Sequence, residues 1–201
     1  MKKTKICVFC ASHSGSNPAY EEAARELGTA LALEGRELIY GGSNCGYMGT
    51  VSTAALKAGG RVVGVIPSIF TDEIISSQKV DELVIVETMG ERKKVMGERS
   101  DAFVALPGGV GTLDEITEML TVNQLSSSMK PIALLNVDGF YDPFVAQMER
   151  ALADDLVGEN TCKSILTAET VPQLLRKLDE FDGSGLSDRV SKIRDASASS
   201  N

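Results

Sequence analysis

The sequence contains no tryptophan, one histidine (His13) and four cysteines. The segment Cys7-Val-Phe-Cys10 has a spacing used by zinc and redox sites, but no second such pair exists to complete a ligand set. It lies in a strand-like run, Lys5 to Cys10, where positions i and i+3 point to opposite faces. The pair therefore reads as small buried hydrophobes in a reducing compartment. No apolar run approaches the roughly 18–20 residues that cross a bilayer, so a membrane-spanning helix is excluded. The apolar stretch after the basic first five residues, Ile6 to Ala11, is shorter than the about 7–15 residues of a signal-peptide core. A cytoplasmic chain is expected, with no membrane partner. Cations are outnumbered, 20 against 28, giving a net charge of −8, and no Lys/Arg-rich block stands out. Long nucleic acid is therefore not an expected partner. A small anion remains open, because backbone N–H groups bind phosphate without net positive charge.

What is present suits one globular unit. Hydrophobic residues make up 43% of 201 residues, enough for a core, and charged residues 24%, enough for a surface. Strand-like runs are expected at residues 5–10, 37–40, 61–66, 82–86, 102–106 and 131–137. Helices are expected at 18–33, 47–58, 90–99, from the 107–112 turn to 125, and near 142–153 and 171–181. Pro18 suits a first helical position and Gly35 a C-terminal cap. Strand and helix alternate, and runs such as Phe103-Val-Ala-Leu106 are apolar throughout. That predicts an α/β, Rossmann-like, mainly parallel sheet with helices on both faces. We expect a single domain over residues 1–182. Residues 183–201 are poor in core side chains and are expected to form a disordered tail.

Three segments follow strands, so they fall at the carboxyl edge of the sheet, where such folds bind ligands. The first is Leu106-Pro-Gly-Gly-Val-Gly-Thr-Leu-Asp-Glu115. Its glycines allow close backbone approach, and the first helical N–H groups can hold an anion, unless the segment is only a tight turn. It lacks the Gly-Lys-Ser/Thr of a Walker loop, and Asp114 stands where a dinucleotide fingerprint has its third glycine. The second is Tyr40-Gly-Gly-Ser-Asn-Cys-Gly-Tyr-Met-Gly49. Two such loops favour a nucleotide over a bare phosphate, although Gly46 and Gly49 could serve only close packing. The third is Met89-Gly-Glu-Arg-Lys-Lys-Val-Met96, whose cations sit at the unfavourable end of their helix. It reads either as a site edge or as a solvated basic turn.

Together these segments resemble the Lonely Guy (LOG) family, the cytokinin riboside 5′-monophosphate phosphoribohydrolases, often labelled lysine decarboxylases. The resemblance runs from about Lys5 to Leu178. It rests on Pro107-Gly-Gly-Val-Gly-Thr-Leu-Asp-Glu115, Arg92-Lys93, the Tyr40–Gly49 loop, Gly64-Val-Ile-Pro67 and the Lys130–Pro143 segment. It implies that Arg92 and Glu115 form a catalytic pair. It also implies substrate contacts from Ser12, Gly42, Glu73, Met89, Arg92, Lys93, Pro107, Gly108, Gly109, Val110, Gly111, Thr112, Leu113, Asp114, Glu115 and Thr121. The implied reaction releases a purine base and ribose 5-phosphate from AMP or an N6-modified AMP. No metal and no cofactor are implied, and a homodimer is. Three positions depart from the family pattern: Gly90 replaces a common histidine, Val122 a common tryptophan and Ser43 a glycine. They bear on base preference more than on reaction type.

The chemistry is plausible for these residue types. Glycosidic cleavage builds positive charge on the ribose, which a fixed carboxylate stabilises while it activates water. Glu115, expected in the first turn of its helix, should be ionised by the helix dipole. Glu118 falls on a similar face, and Asp114 reads as a helix N-terminal charge. A decarboxylase would need pyridoxal phosphate on a lysine, and nothing marks Lys93, Lys94 or Lys130 as that residue. Two other readings stay open. One is a non-catalytic nucleotide or cofactor carrier, since molybdenum-cofactor carriers resemble this chain in fold and glycine loops. The other is a dinucleotide-dependent oxidoreductase. The helix after Thr112 carries Ile116, Met119, Leu120 and Leu125, either for a partner subunit or for the monomer core.

Overall fold

The computed structural model describes residues 2–70 and 80–188. Residues 71–79, Glu73 among them, and residues 189–201 of the expected tail lie outside the described residues. Seven parallel strands form one sheet in the order β4-β3-β2-β1-β5-β6-β7. They are β1 (Lys5–Phe9), β2 (Glu37–Tyr40), β3 (Val62–Pro67), β4 (Glu82–Val86), β5 (Ala102–Ala105), β6 (Ile132–Leu135) and β7 (Ile165–Ala168). The helices are α1 (Pro18–Leu33), α2 (Gly46–Lys57), α3 (Met89–Arg99), α4 (Val110–Leu125), α5 (Asp142–Ala153), α6 (Glu159–Lys163) and α7 (Val171–Glu180). The expected α/β, Rossmann-like sheet is the one found.

The order of strands decides where a ligand can sit. The chain begins at the centre, winds outward through β2, β3 and β4, then returns to lay β5 beside β1. The loops after β1 and β5 therefore diverge and leave a crevice at the strands' carboxyl ends. β1 feeds both faces. Ile6, Val8 and Cys10 join Leu27, Val51 and Leu174 under α1, α2 and α7. Cys7 and Phe9 join Met96, Ile116 and Tyr141 under α3, α4 and α5. Cys7 and Cys10 thus lie on opposite faces, both buried and free.

Three differences from the sequence expectation stand out. β7 was not expected: four residues at an edge, half-buried except Ala168, carry no usable periodicity. The one-turn α6 was also not expected, being too short to show a helical pattern. Residues 183–188, expected in a disordered tail, are hydrogen-bonded to the body. The Met129 N–H donates to the Gly183 carbonyl, and the Asp188 carboxylate accepts from the N–H groups of Asn160 and Thr161. Of the two roles left open for the apolar residues of α4, Ile116, Met119 and Leu120 take the core one. The apolar side chains left in water on α4 are Val110, Leu113, Val122 and Leu125.

Candidate active site

A cleft of about 750 Å³ opens at the carboxyl ends of β1, β2, β3 and β5. One wall is the start of α4. Its cap, Gly109, offers no side chain, and the first intrahelical bond is Leu113 N–H to the Gly109 carbonyl, 3.1 Å. The N–H groups of Val110, Gly111 and Thr112 precede that bond, so they lack helical partners and adjoin the cleft. A Cβ at Gly109 or Gly111 would meet nothing within 4 Å, and neither glycine has a positive φ. Packing of the protein alone does not ask for glycine there. A ligand held close to the backbone would. Gly108 differs: a Cβ there would sit 2.1 Å from Thr112 Oγ1.

Arg92, from α3, borders the same cleft. Thr88 caps α3 with a reciprocal box: its hydroxyl accepts from the Glu91 N–H, and the Glu91 carboxylate accepts from the Thr88 N–H. This start directs Arg92 inward, where it is 6% exposed. Its Nε donates to the Val65 carbonyl at 3.2 Å, and Nη1 lies 3.1 Å from Glu115 Oε1. A Cβ on Gly41 would fall 1.7 Å from Arg92 Nη2, so glycine at 41 makes room for the guanidinium. Of the cations at the start of α3, Arg92 therefore borders the cleft, whereas Lys94 lies in solvent.

Glu115 is 3% exposed, and its Oε1, although close to Arg92, has no aligned hydrogen bond. Burial pushes its pKa up to about 7; Arg92 opposes this, and neighbouring Asp114 adds to it. The expectation of a fully ionised Glu115 is corrected here. Because α4 begins at Val110, Glu115 is in its second turn, beyond most of the dipole's reach, and desolvation wins. This has a thermodynamic consequence. The folded protein takes up a proton on Glu115 at a pH where the unfolded chain, near 4.5, has lost it. Stability from this group is therefore present at low pH and declines as pH rises from about 4.5 to 7. Glu115→Gln should lack this slope, so its stability relative to the parent should rise by at most about 3 kcal/mol over that window. Urea melts at several pH values check this, and parallel curves would contradict it.

The other candidate residues divide into two groups. Ser12, Met89, Asp114 and Gly109 through Thr112 border the cleft with the Arg92–Glu115 pair. Lys93, Gly42, Pro107, Gly108, Leu113 and Thr121 do not line it. Lys93 is spent between α3 and α4: its ammonium contacts Asp114 Oδ2 at 2.8 Å and the Glu118 carboxylate. Gly42, at φ 79°, turns the chain after β2. The Thr121 hydroxyl donates to its own helix, at the Thr117 carbonyl. The residues named individually from sequence did not include the apolar wall of Met48, Ile66, Pro67 and Phe70, nor Cys10, His13 and Gly41, although Gly41, Ser43 and Met48 fall in the Tyr40–Gly49 loop expected at the ligand edge. The Gly64-Val-Ile-Pro67 segment at the end of β3 was the available signal.

The cleft can thus hold an anion at one wall, present a carboxylate and a guanidinium near it, and cover an apolar ring opposite. Residues 48–178 match the family described as "Possible lysine decarboxylase". The chain is 43% identical over 177 residues to the cytokinin riboside 5′-monophosphate phosphoribohydrolase LOG of Oryza sativa subsp. japonica, covering 88% of this chain and 73% of that one. It belongs to the LOG family. An Arabidopsis thaliana LOG phosphoribohydrolase is 41% identical over 184 residues, covering 90% of this chain and 86% of the relative. Among solved structures, the molybdenum cofactor binding protein of Rippkaea orientalis aligns with TM-score 0.66 and 27% identity, over 89% of this chain and 97% of that one. The molybdenum cofactor carrier protein of Chlamydomonas reinhardtii gives TM-score 0.66 at 24% identity over the same shares, a likeness of fold alone. The decarboxylase description does not fit this LOG cleft. No lysine among the described residues lines it, and Lys130 donates to the Gly97 carbonyl away from it. Among the described residues, none offers pyridoxal phosphate an amine there.

Proposed function

We propose that the chain hydrolyses the N-glycosidic bond of a purine nucleoside 5′-monophosphate, AMP or a cytokinin-type N6-modified AMP. The products are the free base and ribose 5-phosphate. One observation carries this reading: the buried Arg92–Glu115 pair lies on the same cleft as the open N–H groups of Val110, Gly111 and Thr112. The names of the relatives support it.

In this reading the α4 amides hold the 5′-phosphate, which is remote from the bond broken and serves orientation. Ionised Glu115 stabilises the cationic ribose and accepts a proton from the attacking water. The electron pair of the cleaved bond goes to the base, which takes a proton from solvent. Arg92 forms forked hydrogen bonds to the ribose or the departing base. Met48, Ile66, Pro67, Phe70 and Met89 cover the base. Ser12 and Asp114 contact the sugar–phosphate side. The protein would act as a homodimer in the cytoplasm. The exposed Val110, Leu113, Val122 and Leu125 of α4 supply an apolar face for a second copy, and the free cysteines fit a reducing compartment.

The phosphate requirement tests this. Because the phosphate supplies the orientation, kcat/KM for AMP should exceed that for adenosine by at least about a hundredfold. Base release followed by chromatography gives both values. Equal turnover of the two would contradict the proposal.

A further inference from the structure

Tyr141 lies outside the cleft lining and has no role in the account so far. Its side chain is among the most deeply buried in the protein, and its hydroxyl donates to the Leu106 carbonyl at 2.6 Å. Leu106 is where the chain leaves the sheet. Its N–H still pairs with the Phe9 carbonyl at 2.9 Å, but Pro107, Gly108 and Gly109 follow. Proline offers no N–H for a further ladder bond, and the glycines resist few conformations. The direction of the loop therefore depends on contacts from outside it.

Tyr141 is itself held firmly. Its N–H donates to Asn136 Oδ1 at 2.7 Å, and Asn136 is in turn tied to the Ala168 carbonyl of β7 and to Asp142 Oδ1. The Phe140 ring packs edge-on against it, 5.0 Å between centroids. The hydroxyl is thus delivered from the connection between β6 and α5, an element that does not border the cleft. Burial keeps the phenol protonated, so it stays a donor.

We propose that Tyr141 is a positioning residue, whose hydroxyl fixes the exit of the chain from β5 and so aims the Val110–Thr112 amides at the 5′-phosphate. The identity of that anion rests on the hydrolase reading above. Without the hydroxyl, the Leu106 carbonyl is buried and unpaired, and the loop relaxes to recover a partner.

The test uses the full chain carrying Tyr141→Phe. KM for AMP should rise about tenfold with kcat within about twofold, matching the loss of one buried hydrogen bond. The dissociation constant for ribose 5-phosphate, by calorimetry, should rise in parallel, and that for adenine should not move. Unchanged KM and ribose 5-phosphate affinity, with only a lower melting temperature, would overturn the proposal. So would a fall in kcat without a change in KM. If the phenylalanine variant does not fold, Asn136→Ala removes the acceptor that holds Tyr141 and should shift the same two constants in the same direction. Absence of base release by the parent protein would sink the hydrolase reading alone, because AMP and ribose 5-phosphate affinities still report on the loop.

Discussion

Glu115→Gln should lower kcat by about a thousandfold, the scale of losing a positioned base and its charge. Fold and AMP affinity should stay close to those of the parent. The substitution keeps the shape of the side chain and one acceptor oxygen. It removes the negative charge that opposes positive charge on the ribose and the group that takes the proton of water. The fold should tolerate this well, because burial already leaves Glu115 with a pKa of about 7, so much of the folded protein carries it neutral at that pH. The same fact sets the sign of the pH dependence. The ionised carboxylate is the active form, so the parent's rate should climb as pH rises through about 7 and then level off. Rapid-mix kinetics, calorimetry with AMP and circular dichroism make the comparison. An unfolded variant, or one that turns over normally, would make Glu115 a structural residue.

The second large effect is expected at Arg92. Arg92→Lys should cut kcat/KM by about a hundredfold, because one ammonium cannot reproduce a planar fork. The guanidinium spans the Val65 carbonyl on one side and Glu115 on the other, with Nη2 over Gly41. Arg92→Met should be more damaging and should also move the pH–rate profile. Arg92 favours the ionised form of Glu115, so its removal raises the proton affinity of a buried carboxylate. The rising limb should shift to higher pH. A profile that falls in height but stays in place would show that the two side chains are not electrostatically coupled. Gly41→Ala offers an independent check, since a Cβ cannot share space with Arg92 Nη2.

Much of the architecture was readable because parallel strands buried on both faces leave unmistakable apolar runs, as at Phe103–Leu106. Glycine-rich loops after strands then gave the ligand edge. β7 was not readable, since Ile165-Leu-Thr-Ala168 is short and lies at an edge. For the site, the adjacency of Arg92 and Lys93 in sequence hid a divergence in space. Arg92 turns into the cleft, while Lys93 is absorbed by Asp114 and Glu118. Gly41 could not be assigned a role until the position of the guanidinium was known. The charge state of Glu115 was misjudged because it lies one turn further into its helix than expected and because desolvation depends on the packed surroundings. The apolar wall was missed because Met48, Ile66 and Phe70 look like ordinary core residues in sequence.

The central claim is that one cleft both binds a nucleoside 5′-monophosphate and breaks its glycosidic bond at Glu115. The most direct measurement incubates the purified chain with isopentenyladenosine monophosphate and with AMP, separates the products by chromatography, and measures nucleotide binding in the same samples. The account predicts free base and ribose 5-phosphate in equal amounts from at least one of the two, with Glu115→Gln binding the nucleotide but releasing base about a thousandfold more slowly. Nucleotide bound by the parent protein with no base released would contradict it and make the chain a carrier.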